Sequence, residues 1–327
     1  MAHIVITGGA GYIGSVLTGI LLNAGHHVTV IDKLLFGGDH MLCYRSNDKF
    51  SMIVEDVLET NLKQYLFSAT HVIHLAAIVG FPACQQVGPS IARRYNVEAT
   101  KKVFGAAEEC GVSRMLFSST YSVYGISADG KPVSEESPLC SQSLYGDTKI
   151  EAEQYLLSQH NSSCLPIILR FSTLFGISPR TRFDLIINQF VLEALTARKI
   201  VLYQKNYKRS FCHISDIVRA VCLALLEWPD DDCRQIWNVG SNVNNLSKED
   251  VVNLIKDQID IDVIYKDLSF GGDMRDICVS FDKIAGKAFS PKISVASGIQ
   301  EIKEALTSGL IKDPFNDKYR NARFIVN

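Results

Sequence analysis

Apolar, β-branched runs recur along the first half of the chain and alternate with stretches of helical periodicity. The runs are HIVIT (3–7), HVTVID (27–32), FSMIVEDV (50–57), HVIHLAA (71–77), RMLFSS (114–119) and LPIILRF (165–171). Between them lie amphipathic patterns such as GSVLTGILLNAG and NVEATKKVFGAAEECG, each closing on a glycine able to take the left-handed C-cap. Strands that are apolar on both faces predict a parallel sheet covered by helices on both sides. The expected fold class is therefore α/β, a doubly wound parallel sheet of the Rossmann type. From about 172 to 210 the pattern breaks into arginines, prolines and loops, and a buried helix returns at SDIVRAVCLALLEW. Beyond it, NLSKEDVVNLIKDQI and VASGIQEIKEALTSG read as helices opened by serine caps. The expected division is a first domain over 1–170, with 211–227 returning to it, and a smaller mixed α/β lobe over 171–327.

Charge and cysteine usage remove several function classes. Among 327 residues, 33 basic and 35 acidic side chains leave no basic excess for nucleic acid or an anionic membrane. No apolar run nears the ~20 residues that span a bilayer. The start, MAHIVITGG, lacks a charged segment followed by an apolar one, so no signal peptide is expected. Nine scattered cysteines without a CxxC read as reduced thiols, which points to a cytoplasmic protein. With no HExxH and no histidine–cysteine cluster, no metal site is expected.

The first motif with chemistry follows the first strand: TGGAGYIG, Thr7 to Gly14. Gly8, Gly11 and Gly14 are spaced three apart at the mouth of a helix, with Tyr12 and Ile13 between the last two. Such glycines let the chain turn tightly and bring a pyrophosphate to the helix's positive end. Asp32 closes the second strand 18 residues past Gly14, where a carboxylate accepts ribose hydroxyls and repels a 2′-phosphate. NAD is expected over NADP, with Lys33 beside it as the opposing charge.

A second pair stands in SLYGDTKIEAEQYLL, where Tyr145 and Lys149 lie four apart on one helix face. A hydroxyl carbon gives up hydride only if its oxygen also loses a proton, so such a site needs a base. A phenol titrates near ~10, too high for neutral pH. A neighbouring ammonium, with the positive nicotinamide ring of NAD, favours the phenolate and brings that value down.

Taken with HLAA (74–77), SSTYSVYG (118–125) and YGDTK (145–149), these residues resemble the extended short-chain dehydrogenases. More narrowly, the chain is similar to the NAD-dependent epimerase/dehydratase family acting on nucleotide sugars, from residue 3 to about 290. The resemblance implies that Asp56 and Val57 flank the adenine, that Ala76 and Ala77 line the nicotinamide ribose, and that Asn96 sits near the active site. It makes Tyr145 the proton acceptor or donor, places Thr120 on the sugar oxygen, and gives Lys149 the nicotinamide ribose as well. A homodimer through helices near 94–110 and 145–159 is also implied. The apolar Val97, Val103 and Phe104 fit that use, and equally fit packing on the sheet.

Departures from the family's pattern narrow the chemistry. Sugar-nucleotide 4,6-dehydratases carry an acidic pair after the threonine, where this chain has Tyr121 and Ser122, so dehydration is not expected. What remains is oxidoreduction at one carbinol carbon, C4 by resemblance, as a 4-epimerase or as a C4 dehydrogenase or 4-ketoreductase. A substrate diphosphate calls for arginine forks. Arg180, Arg182 and Asn188 in GISPRTRFDLIINQF are candidates, and Arg209 in KRSFCHISD matches the family's R-D-Y-I-H segment. The family's R-x-x-N becomes Arg170 to Thr173, with Thr173 in the amide's place, and Tyr121 and Thr173 are expected against substrate. The R-x-G-D pattern has lost its arginine at Phe270, and Arg275 is the candidate replacement. TLFGISPRTRFDLIINQF with GGDMRD looks most like enzymes that oxidise the C4 hydroxyl of GDP-linked heptoses. FPACQQVGPS (81–90) is expected to line the sugar pocket, with Cys84 a buried thiol or a substrate contact. His74 and His213 read as core residues, which leaves the tyrosine as base. A catalytically silent NAD-binding sensor or scaffold of the same fold is the alternative.

Overall fold

The computed structural model describes residues 1–127, 131–266 and 276–322, so Arg275 and the pattern ending at Asp273 lie outside the described residues. The first half carries strands β1 (His3–Thr7), β2 (His27–Asp32), β3 (Phe50–Val54), β4 (His71–His74), β5 (Arg114–Thr120) and β6 (Leu165–Phe171). Its helices are α1 (Tyr12–Asn23), α2 (Lys63–Leu66), α3 (Phe81–Arg93), α4 (Ala99–Glu109) and α5 (Leu144–Leu157). The second half begins with β7 (Thr173–Phe175), α6 (Ile186–Ala197), β8 (Lys199–Tyr203), β9 (Lys208–His213), α7 (Ile214–Leu226) and β10 (Ile236–Val239). It ends with β11 (Asn245–Ser247), α8 (Lys248–Lys256), β12 (Asp262–Lys266), α9 (Asp282–Ala285) and α10 (Val295–Thr307).

The large sheet is wholly parallel, in the order β10-β6-β5-β4-β1-β2-β3. Its order reverses between β1 and β4, which opens a crevice at their carboxyl ends. There Thr7 lies beside His74, and Thr7 Oγ1 meets His74 Nδ1 at 2.6 Å. The other ring nitrogen of His74 meets Thr100 Oγ1 at 3.1 Å. Burial lowers the pKa of His74 to about 3, so a neutral ring ties the two strands at the switch point.

Each sheet face has its own apolar layer. Leu17 and Leu21 of α1 join Ile217 and Val221 of α7 over Ile4, Ile6 and Leu116. On the opposite face, Val103 and Phe104 of α4 and Leu156 of α5 pack over Val5, Val72 and Met115. Val103 and Phe104 therefore serve the sheet inside the subunit, and Val97 is fully buried too. α7 and β10 belong to this layer system although they come from the second half of the chain.

The smaller lobe is more regular than its sequence suggests. The stretch 172–210, read as mostly loops, holds β7, the twelve-residue α6, β8 and the first half of β9. Its strands form two small sheets: β9 between β7 and β11, and β8 beside β12. Helices α6, α8 and α10 close over a separate core that includes Phe183, Ile187, Val191, Ile255 and Ile299. Ser247 caps α8 in a reciprocal box with Asp250, and Ser294 caps α10.

Candidate active site

A cleft of about 1240 Å³ begins at the switch point and runs between the large sheet and the smaller lobe. Its floor is the β1–α1 turn. Gly8 has φ +73°, and a Cβ there would stand 2.6 Å from the Ala76 backbone nitrogen. A Cβ on Gly14 would stand 2.5 Å from the Gly9 Cα. Both positions need glycine, because β1, β4 and α1 approach too closely for a side chain. Gly11 begins α1, and no side chain caps the first turn, so its amides remain for an anion.

Asp32 lines the cleft at the end of β2. Its two oxygens accept from the Ala10 amide at 3.0 Å and the Leu34 amide at 2.8 Å. Burial raises its pKa, against those two bonds and the charges of His40 and Arg180. The carboxylate is thus aimed, and each oxygen keeps a lone pair for a ribose hydroxyl. Lys33 does not compete with it. Its ammonium bonds Asp56 at 2.7 Å and the Tyr95 hydroxyl at 3.1 Å, away from the Asp32 carboxylate. The glycine cradle, the uncapped helix end and the oriented carboxylate fit a dinucleotide. Val57, Ala76 and Ala77 line the adjoining wall.

Asn96 stands behind that wall, outside the cleft lining. Its Oδ1 accepts from the Ile78 amide at 2.8 Å, and its Nδ2 donates to the Ile78 carbonyl at 3.0 Å and to Thr148 Oγ1 at 2.9 Å. It shapes the segment after Ala77 by holding Ile78 from both sides. Cys84 is also behind the wall. Its thiol donates to the Ile78 carbonyl, and burial pushes its pKa up to about 11, so it is an inert packing group. Phe81, Pro82 and Ala83 of the same segment do line the cleft.

The reactive constellation gathers where β5 and α5 meet. Ser143 caps α5, fixing the first turn that carries Tyr145. Tyr145, Thr120, Tyr121 and Ser122 all line the cleft. Thr120 Oγ1 accepts from the Ser122 amide at 3.2 Å and donates to its hydroxyl at 3.1 Å. Lys149 lies beneath them, buried, with its ammonium donating to the Ser118 carbonyl at 2.8 Å and 6.0 Å from the Tyr145 ring centre. Burial lowers its pKa to about 8. The Tyr121 hydroxyl meets Thr173 Oγ1 at 2.7 Å.

The arginines separate. Arg182 lines the cleft in a two-point pair with Asp184, at 2.9 and 2.8 Å. Arg209 lines it from β9. Arg180, expected with the substrate, stands instead at the Asp32 end. Its guanidinium lies 4.0 Å from the Phe36 ring centre and donates to Asn321 Oδ1 at 2.7 Å. Burial lowers its pKa to about 10. Loop 176–181 folds toward the nucleotide turn because Ser178 and Gly176 are bonded to α1, a long-range fact invisible in local spacing. Asn188, unlike Arg180, is not among the residues that line the cleft. It is fully buried, bracing Gly176 and the Arg182 carbonyl. Phe36, Glu193, Lys199, Tyr203 and Lys248 also line the cleft and belong to no motif in the sequence, and Gln189 lines it from within the GISPRTRFDLIINQF stretch without an assigned role there.

A reversed sheet order, a glycine cradle and a tyrosine–lysine pair at its rim together define an extended short-chain dehydrogenase. Residues 4–240 match the model of the NAD dependent epimerase/dehydratase family, and the chain belongs to that family. An uncharacterized UDP-glucose epimerase of Bacillus subtilis is 32% identical over 68% of this chain and 72% of its own. A dTDP-glucose 4,6-dehydratase of Streptomyces griseus is 26% identical over 91% and 92%. The solved UDP-glucuronic acid 4-epimerase from Bacillus cereus, in complex with UDP-glucuronic acid and NAD, is 25% identical with a TM-score of 0.83, over 94% and 99%. The protein is an enzyme of this family and its cofactor is NAD.

Proposed function

We propose that this enzyme interconverts a carbinol and a ketone at a sugar carbon, C4, of a nucleoside-diphosphate sugar, as a 4-epimerase or a C4 dehydrogenase/4-ketoreductase. One observation carries the reading: Tyr145 lines the cleft beside Thr120, with the Lys149 ammonium buried beneath the phenol. NAD supplies the hydride acceptor when bound. The chain's own work is proton handling and placement. Tyr145 takes the hydroxyl proton, Thr120 orients the oxygen, and Lys149 stabilises the phenolate electrostatically. Asp32 and the β1–α1 turn would hold the nucleotide, with Arg180 closing over its adenosine half.

Elimination of water is disfavoured by the fate of the cleft's carboxylates. Among the described lining residues these are Asp32, Glu55, Asp56, Asp184 and Glu193. Each is hydrogen-bonded to another group, and none stands in the turn after Thr120. Arg182 and Arg209 suit the substrate diphosphate.

The test is mass spectrometry of the purified protein with UDP-, GDP-, CDP- and dTDP-sugars, while nicotinamide absorbance is followed. A stereoisomer of unchanged mass without net reduction of NAD marks the epimerase. Loss of a hydrogen pair with reduction of NAD marks the dehydrogenase. A product lighter by water would overturn the reading.

A further inference from the structure

Past Arg209 the cleft continues into the smaller lobe, between α6 and β8. That end is lined by Gln189, Phe190 and Glu193 from α6 and by Lys199, Val201 and Tyr203 from β8. An aromatic ring, an apolar edge and polar groups on two sides suit a flat heterocycle. The chemistry of those polar groups narrows which one.

Glu193 lies one helical turn beyond Gln189, and Gln189 Nε2 donates to its Oε1 at 2.8 Å. Among the described residues this is the only hydrogen bond to the carboxylate, so Oε2 and a second lone pair on Oε1 are left for a ligand. The group is half-buried, and burial raises its pKa, partly offset by the Gln189 bond and the Arg320 charge. In its ionised form the Glu193 carboxylate only accepts hydrogen bonds. Two adjacent N–H donors on a ligand satisfy it, whereas a carbonyl beside its oxygens is repelled.

The nucleobases differ on this point. Guanine presents N1–H and N2–H side by side. Uracil and thymine present one N–H flanked by two carbonyls, and adenine and cytosine each offer one amino group beside an acceptor nitrogen. We propose that Glu193 reads the base of the nucleoside diphosphate and selects guanine, with Gln189 fixing the carboxylate. The inference deepens the proposed function and rests on its nucleotide-sugar reading. It sets this chain apart from the relatives named above, which carry uridine or thymidine nucleotides in their names.

Calorimetric titration of the NAD-loaded enzyme with GDP, IDP and UDP tests it. IDP keeps N1–H and lacks the N2 amino group. Each charge-assisted hydrogen bond lost is expected to weaken binding about tenfold to a hundredfold, giving the order GDP, IDP, UDP. Glu193→Gln is expected to lose at least about tenfold in GDP affinity while UDP affinity holds and NAD is retained. UDP binding as tightly as GDP, or a GDP/UDP ratio unchanged in Glu193→Gln, overturns the assignment and leaves the nucleotide-sugar reading standing. Binding of none of the three overturns both. The wild-type ranking decides the matter even if the variant does not fold.

Discussion

Arg170 and Glu153 form a two-point ion pair inside the subunit, Nη2 to Oε2 at 2.6 Å and Nε to Oε1 at 3.0 Å. Glu153 is four residues past Lys149 and eight past Tyr145, so one face of α5 carries phenol, ammonium and carboxylate in sequence. Ser119 donates to the same carboxylate, and Arg170 Nη1 donates to the Tyr124 hydroxyl at 2.8 Å. The pair anchors α5 to β5 and β6 below the reacting groups.

Removing one partner strands a buried charge, which costs roughly 3–5 kcal/mol. Arg170→Met is expected to show that loss in urea unfolding. Arg170→Met with Glu153→Leu is expected to recover most of it. A double variant no better than the single one would mean that the network matters through shape rather than charge.

Tyr145→Phe removes the proposed proton acceptor and keeps the ring. Turnover is expected to fall by about 10²–10⁴, with NAD still bound. Single-turnover kinetics on the substrate identified by mass spectrometry check this, and near-normal turnover would remove the tyrosine from its assigned role.

Lys149 titrates at about 8 in the folded protein because burial disfavours its charge. The unfolded lysine keeps its proton to roughly 10.4. Between those values the unfolded chain holds more protons, so stability climbs with pH across the window and is level below it. Urea midpoints of the NAD-free protein at about pH 7 and pH 10 are expected to show that climb. In Lys149→Met it is expected to vanish. An identical slope in the variant would assign the climb to other groups.

Arg180 stands by Phe36 and Asp32, so Arg180→Gln is expected to quicken NAD release and leave nucleotide-sugar affinity nearly unchanged. Stopped-flow fluorescence of NAD release and substrate titration separate the two effects. Weakened substrate binding with normal NAD release would return Arg180 to the diphosphate role.

The large sheet was legible because its strands are apolar on both faces and each closes a helix-length interval. β10 escaped notice: it is four residues long and acquires meaning only by pairing with β6, far back in the chain. The glycine turn, Asp32 and the Tyr145–Lys149 pair are local spacings in the sequence, whereas Thr120 entered only through the family resemblance; the glycines, Asp32, Thr120 and Tyr145 all line the cleft. Asn96 and Asn188 were placed against ligands, yet their amides brace neighbouring chain, a choice decided by partners 6 to 52 residues away. Glu193 and Lys248 gave no signal, since one charge on a helix reads as a solvated face until the opposing wall is known.

The Tyr12 hydroxyl donates to the Gly176 carbonyl at 2.8 Å, and Ser178 Oγ donates to the Tyr12 carbonyl at 2.8 Å. Both bonds cross from the nucleotide turn to the lobe over the sugar end, and both are buried. The two halves are therefore sewn along a seam rather than joined by a strap. A chain cut after β6 would expose the inner side of α1 and leave the Tyr12 phenol without its acceptor. The dinucleotide fold of this enzyme is not a transplantable part: its first helix is finished by residues that arrive more than 160 positions later.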